Sequence, residues 1–492
     1  MTADDDLLKS VVAIFTGNGA IKLIGIVFTP LLVRVLSQPE YGVFASVMAL
    51  FGIIELVSKV GLFDSVRKHV AEHPLGSREQ GEMAVASVLI AIGYGGVATL
   101  GGVILVYVPS PLSGEYATYF LVLVSAVVAS NVFAVSRGVF YGRQQEGVSA
   151  KIAVFRRLTY SALGLVLAYI GLGVFGVFLG YTVAIYASAI VGGGLVYRTL
   201  DIDITRSLAA LRKHGRKIAV YGGIQATGGV ASLLLYKTDI LLVDFFRASA
   251  ETALYKAALT PAELIWFVPS VIQAALLQNA SDHWSNGRIA AINENVKTGL
   301  KYAFLALTLF AVGLFALAKE FLTVYFGPTY GASAFSLRVL LVGTFFFGLS
   351  RILVPVLQGT GWIKYTESVA IVALGVNIGL NVLLIPRYGI RGAATATAIS
   401  YCFIFLGTLL VWLATDFELP SRGTIARLCA SLAVFALVYV PVVNRSDIGT
   451  IASLLVFPVF GGISYVLICL LFGLVETGDL RRALSTILPN VL

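Results

Sequence analysis

Apolar runs of about the twenty residues that a membrane-spanning helix needs recur along the whole chain, separated by short polar connections. They predict spans near 11–33, 41–63, 83–108, 117–140, 152–171, 174–197, 218–243, 253–277, 300–318, 332–357, 365–385, 389–414, 424–443 and 449–472. The longest connections, 64–82, 198–217 and 278–299, are too short for a catalytic domain. The pattern is that of an all-α polytopic membrane protein with about fourteen transmembrane helices.

Composition agrees. Of 492 residues, 58% are hydrophobic and 12% charged, with a mean hydropathy of +0.90. Ordinary soluble domains carry roughly 25% charged residues, so a water-soluble enzyme and a disordered chain are both excluded. Cys402, Cys429 and Cys469 lie in apolar runs, with no CxxC or Cys/His cluster. No disulfide framework, zinc site or cofactor is expected. His69, His73, His214 and His283 fall in the polar connections, which argues against histidine chemistry inside the membrane. The start, MTADDDLLKS, is acidic, unlike the basic opening of a cleaved signal peptide.

The net charge of +9 reflects topology more than nucleic-acid binding. With the N-terminus inside, 24 of the 35 lysines and arginines fall at inside ends and 8 at outside ends, while Lys22, Lys59 and Arg338 lie within spans. The positive-inside rule then puts both termini in the cytoplasm, with the chain in the cell membrane. The densest cluster, Arg212-Lys213-His214-Gly215-Arg216-Lys217, reads as an anchor beside anionic headgroups.

That cluster separates two related sets of six spans. Ser37-Gln-Pro-Glu40-Tyr-Gly42-Val-Phe44 matches Ala248-Ser-Ala-Glu251-Thr-Ala253-Leu-Tyr255 at an offset of 211. Val139-Phe-Tyr-Gly142 matches Val356-Leu-Gln-Gly359 at 217, and Gly173-Val-Phe-Gly176 matches Gly389-Ile-Arg-Gly392 at 216. Six is even, so both copies insert in the same orientation, about an axis along the membrane normal. The expected organisation is an N-lobe (1–198), a basic linker (199–217), a C-lobe (218–415) and spans 13–14 with a cytoplasmic tail (416–492).

An ionisable group at mid-membrane costs about 2.5–3.5 kcal/mol on insertion scales and so faces a cavity or a partner. Lys22 sits mid-span with no acid between Val11 and Val33. It is either a cavity cation for an anionic substrate or the partner of an acid on another helix, such as Glu55. Glu55 and Lys59 share a helix face four residues apart and read first as a structural pair. Lys237 and Asp239, two apart, cannot face each other. Lys256 and Glu263 occupy the corresponding region of span 8, and Arg338 lies on span 10 with Arg351, which is near enough to the inside end to snorkel. Together with Arg34 these form the candidate substrate-binding set, leaning positive and suited to phosphate or diphosphate. Pro30, Pro261, Pro269 and Pro355 interrupt spans as hinges or static kinks. Asn377 and Asn381 form an amide face suited to interhelical hydrogen bonds.

Arg34-Val-Leu-Ser-Gln-Pro-Glu-Tyr-Gly-Val-Phe44 resembles the first-loop signature of polysaccharide (O-antigen, Wzx-type) flippases of the multidrug/oligosaccharidyl-lipid/polysaccharide (MOP) exporter superfamily. Lys237-Thr-Asp-Ile-Leu-Leu-Val243 with Ala253-Leu-Tyr-Lys-Ala-Ala258 is similar to that family's span 7–8 region. So is the stretch from Phe326-Gly-Pro-Thr-Tyr330 through Asn381-Val-Leu-Leu-Ile-Pro386 to Gly389-Ile-Arg-Gly-Ala-Ala-Thr-Ala-Thr397. The resemblance implies a V-shaped pair of six-helix lobes whose cationic cavity matches Lys22 and, more loosely, Lys59, Lys237 and Lys256. It implies a flippase moving a polyprenyl-linked oligosaccharide (undecaprenyl or dolichyl, phosphate or diphosphate) to the outer leaflet by alternating access. The expected unit is monomeric, with membrane lipids as further partners and room for a coupling cation. Spans 13 and 14 resemble those of fourteen-span members, the lipid II flippase among them. That flippase carries several arginines in its first two spans, whereas span 1 here offers only Lys22, so a peptidoglycan precursor is not the favoured cargo. The alternative is a cation-coupled drug exporter of the same superfamily, kept open by Glu55. An enzyme is disfavoured because the outside loops are too short to carry acid or histidine chemistry.

Overall fold

The computed structural model describes residues 3–107, 114–203, 205, 207–446 and 448–475, with side chains placed from residue 19 onward except at 224–232 and 278. The expected tail with Arg481 and Arg482, and Arg206 of the linker, lie outside the described residues. The helices of the first half are α1 (Ala3–Val35), α2 (Gln38–Lys59), α3 (Leu62–Ala71), α4 (Arg78–Tyr107), α5 (Glu115–Ser125), α6 (Val127–Gly142), α7 (Glu146–Leu167) and α8 (Gly173–Thr199). They continue as α9 (Ser207–Phe246), α10 (Ser249–Leu264), α11 (Phe267–Ser285), α12 (Ile289–Ala316), α13 (Ala318–Tyr325), α14 (Ala334–Gly359), α15 (Ile363–Tyr388), α16 (Ile390–Leu413), α17 (Arg422–Arg445) and α18 (Thr450–Leu471).

This all-helical outcome follows from the solvent: in hydrocarbon every backbone N–H and C=O must be satisfied within the segment. By length and apolarity alone, ten helical stretches among the described residues could cross a membrane, and the pair α10–α11, bent by 52°, makes eleven. One of the ten, Glu146–Thr199, is 54 residues long but folds back at Gly171 (φ 103°) and Gly173 (φ 50°) into two helices. α1 and α9, of 33 and 40 residues, are each long enough for one more. All fourteen predicted spans are therefore helical at their predicted places. Span 2 runs further than expected, through α3 to Ala71, which draws His69 out of the polar connection and buries it. His214 is likewise buried, on α9. Of the prolines, only the span-8 pair sits at a sharp break, between α10 and α11; Pro30 and Pro355 lie inside continuous helices.

The sequence repeat reappears as geometry. Helix starts Gln38 and Ser249 stand 211 apart, and helix ends Gly142 and Gly359 stand 217 apart. Gly173 (φ 50°, ψ −135°) and Gly389 (φ 55°, ψ −137°) adopt nearly the same conformation, one open only to glycine. A Cβ on Gly176 would lie 2.7 Å from the Leu167 carbonyl carbon, and one on Gly392 2.6 Å from that of Leu384. Each glycine pair thus closes a tight hairpin, α7–α8 in one copy and α15–α16 in the other.

Packing divides the chain into two compact units, Met1–Ala253 and Leu254–Leu492. In the first, α1 lies on α7, α6 is flanked by α3, α4 and α8, and α9 packs on α2, α3 and α4. The second is built on α14, flanked by α11, α12 and α16, with α17 and α18 against α12. Phe435, Tyr439, Phe457 and Tyr465 form the core of that last contact. The packing boundary differs from the repeat boundary at 199–217 because α9, the first helix of the second copy, is held by the first unit.

Candidate functional site

An intramembrane polar cluster lies in the first unit. Glu55 is 17 residues into α2, about 25 Å along at 1.5 Å per residue, near the middle of the α2–α3 span. Its Oε1 meets Lys59 Nζ at 2.9 Å, the pair expected from their spacing. Ser130 Oγ on α6 donates a second hydrogen bond to Glu55 Oε1. Beside it, Ser58 Oγ donates to Asn131 Oδ1 (3.0 Å), and Asn131 Nδ2 donates to the Ser58 and Ala91 carbonyls (3.1 and 3.3 Å). Asn131 is fully buried, so these bonds tie α2, α4 and α6 together at mid-depth.

Two arginines on α7 complete the cluster. Arg156 lies within electrostatic reach of Glu55 and stacks over Phe133 at 4.9 Å. Arg157 sits 5.3 Å from the ring centres of Phe28 on α1 and Tyr160 on α7. Its Nε is buried without a hydrogen bond, and it makes no ion pair among the described residues. A Cβ on Gly25 would come within 2.9 Å of the Arg157 guanidinium, so the glycine provides its seat. By the sequence alone both arginines fall among the inside-end charges that set topology. The available signal was their position, five residues inside the apolar run 152–171.

The other candidates lie on α1, α9, α10 and α14. Lys22 is on the exposed side of α1, and Arg34 is exposed in that helix's last turn. Lys237 is half-buried on α9, while Asp239 is fully buried and accepts the Ile240 N–H at 2.8 Å. Lys256 and Glu263 are half-buried on α10. Arg338 lies in the second turn of α14, where its Nε donates to the Phe315 carbonyl at 3.1 Å, the bond of a side chain fastened at a helix end. Arg351 does not snorkel. Its guanidinium covers Trp266 (4.8 Å) and Phe347 (5.2 Å), and Nη1 donates to Gln273 Oε1 at 2.9 Å. Asn381 Nδ2 bonds Asn377 along the same helix (2.9 and 3.0 Å), where an interhelical bond was expected. Among the described residues no group of three or more His, Cys, Asp or Glu is placed to hold a metal ion.

A family model described as "Polysaccharide biosynthesis protein" matches residues 7–277, and one described as "Lipid II flippase MurJ" matches residues 225–457. The chain is 24% identical over 459 residues to a "Probable flippase AglR" of Haloferax volcanii, covering 92% of this chain and 93% of the relative. It is 21% identical over 404 residues to that organism's "Probable low-salt glycan biosynthesis flippase Agl15", covering 80% and 81%. Among solved structures, the lipid II flippase MurJ in an inward closed conformation aligns with a TM-score of 0.73 at 15% identity, over 96% of this chain and all of that one. An inward-facing multidrug resistance MATE transporter aligns with a TM-score of 0.63 at 15% identity, over 84% and 96%. With more than half of its length matched by the first model, the chain belongs to the polysaccharide biosynthesis protein family, and its fold is that of the MurJ and MATE structures.

Proposed function

We propose that the chain is a flippase that carries a polyprenyl-phosphate- or diphosphate-linked oligosaccharide from the cytoplasmic to the outer leaflet by alternating access. The observation that carries this reading is Arg157, a guanidinium within the α7 span with an unbonded buried Nε and no carboxylate partner among the described residues. Such a charge costs about 2.5–3.5 kcal/mol on insertion scales; an anion that arrives and leaves offsets that cost only transiently, as transport requires. Arg156, Lys59 and Lys22 add positive charge, and Glu55 holds Lys59 in place until the anion arrives. Lys237, Asp239, Lys256 and Glu263 would contact the glycan or a coupling cation, while Arg34 and Arg338 flank helix ends. The relatives' names, a glycan biosynthesis flippase and a flippase, support the same chemistry. In this reading the lobes are 1–198 and 218–415, joined by the basic linker 199–217, and both termini lie in the cytoplasm by the lysine and arginine bias.

The test is a gene deletion followed by leaflet-resolved detection of the lipid-linked glycan with a membrane-impermeant probe on spheroplasts. Accumulation on the cytoplasmic face is expected, rescued by wild type and reduced at least tenfold in rescue by Arg157→Ala. A milder loss is expected for Lys22→Ala. The second reading, a cation-coupled drug exporter, is favoured by one observation, the half-buried acid Glu55 within the helix bundle. An unchanged glycan distribution with greater sensitivity to cationic drugs would select it.

A further inference from the structure

The start of α9 is fastened to α2–α4 in two ways. At the centre the contact is backbone on backbone: a Cβ on Gly61 (φ 63°) would lie 2.3 Å from the Gly222 carbonyl oxygen, and one on Gly222 2.5 Å from that of Val60. Tyr221 is covered by Lys68 Nζ at 4.2 Å and by the His69 ring edge-on at 5.5 Å, and Ser65 Oγ donates to the Ile218 carbonyl at 2.9 Å. At the rim, Lys217 Nζ meets Glu72 at 2.6 Å, and Lys213 Nζ meets Glu82 at 2.8 Å. Glu82 also receives His214 (3.3 Å) and Arg78 (3.3 Å). Arg212 and Arg216, one turn apart on the exposed face of α9, make no ion pair among the described residues.

The two halves of this seam have opposite character. At the glycine contact the two backbones meet with no side chain between them, and beside it only Tyr221 and Ile218 are held, by Lys68, His69 and Ser65, so parting the seam breaks a short set of contacts. The rim pairs are exposed, 57% at Lys213 and 52% at Lys217, and exposed pairs are weak and easily screened. A diphosphate carries more charge than either glutamate and a phosphodiester as much, and both bind lysine and arginine by charge-assisted hydrogen bonds.

We propose that this seam is a latch released by the phosphate of a lipid headgroup. The phosphate docks first on Arg212 and Arg216, then competes with Glu82 and Glu72 for Lys213 and Lys217. The headgroup can belong to the transported polyprenyl lipid or to bulk anionic phospholipid; only the first source rests on the flippase reading above.

The test uses the full chain with Cys402, Cys429 and Cys469 replaced by serine and spin labels at Glu79→Cys on α4 and Leu208→Cys on α9. Distances are read by double electron–electron resonance in nanodiscs of neutral lipid. A shift to longer distance is expected on adding undecaprenyl diphosphate, and in the E72Q/E82Q variant with no lipid added. R212Q/R216Q should keep the resting distance and lose the response; an undiminished response overturns the docking step. Wild type in about 1 M salt, where the Debye length is about 3 Å, should lengthen as E72Q/E82Q does, which guards against a variant that fails to fold. If phosphatidylglycerol opens the seam as fully as undecaprenyl diphosphate, the latch stands with bulk lipid as its trigger, and the flippase reading gains nothing from it. A lengthened variant with no response to either lipid overturns release by phosphate. No lengthening in any arm overturns the latch itself.

Discussion

Arg157 and Gly25 illustrate how one residue's chemistry depends on another's absence of a side chain. The guanidinium rests where a Cβ would stand, and the nearest atom is the movable end of a flexible side chain. Gly25→Ala should therefore fold and lose only part of its flipping, whereas Gly25→Leu should displace Arg157 and approach the defect of Arg157→Ala. Flipping rates compared at equal expression decide this. Gly42 differs in kind. A Cβ there would lie 1.7 Å from the Ser249 carbonyl oxygen, which is backbone and cannot swing aside, whereas nothing lies within 4 Å of one on Gly52. Overpacking of this sort costs about 1–3 kcal/mol, so Gly42→Ala should lower the thermal midpoint in detergent and Gly52→Ala should leave it unchanged.

At the scale of elements, the docked start of α9 carries a pH dependence whose sign follows from its two ends. The hydrogen bond from Lys217 holds the Glu72 carboxyl below its ordinary value of 4.5. Burial holds His214 below its ordinary 6.5, with Lys213 and His73 acting in the same direction and Glu82 against them. Each group binds its proton less readily in the fold than out of it. Each therefore stabilises the docked helix above its unfolded value, and that contribution is lost as pH falls through the folded value. The α4–α9 distance should stay constant above about pH 6.5 and lengthen on acidification, fully so once Glu72 is protonated; lengthening on raising the pH instead would contradict this account. The hairpins make a second element-scale point. Gly173 and Gly389 occur in corresponding places because a return after one membrane crossing needs a conformation that other residues resist.

For the whole molecule, orientation is the property most directly open to test. The basic ends of the spans predict that a cysteine at Arg198, in an otherwise cysteine-free chain, reacts with an impermeant maleimide only after the membrane is opened. One at Arg445 should react in intact cells. Both positions are exposed, so accessibility reports side and not burial. The two compact units also place a limit on inference from repeats. The proposed second copy begins in sequence at the linker, but helix α9 is held by the first unit through the Glu72, Glu82 and Gly61 contacts, so the boundary expected from the sequence repeat is not the boundary in packing.

The sequence by itself determined the helical class, the places of the fourteen spans, the internal repeat with its glycine turns, and the Glu55–Lys59 pair. These depend on forces that act within a turn or a segment: removal of backbone polar groups from water, the conformational freedom of glycine, and the four-residue spacing of a helix face. Tertiary structure alone decided which charges have partners. Ser130 reaches Glu55 from 75 residues away, Gln273 and Trp266 turn Arg351 from a snorkelling side chain into a stacked one, and Gly25 receives Arg157 from a helix more than a hundred positions later. The energy of a charge in the membrane is set by what stands within a few ångströms of it, and for these residues the neighbours come from helices distant in sequence.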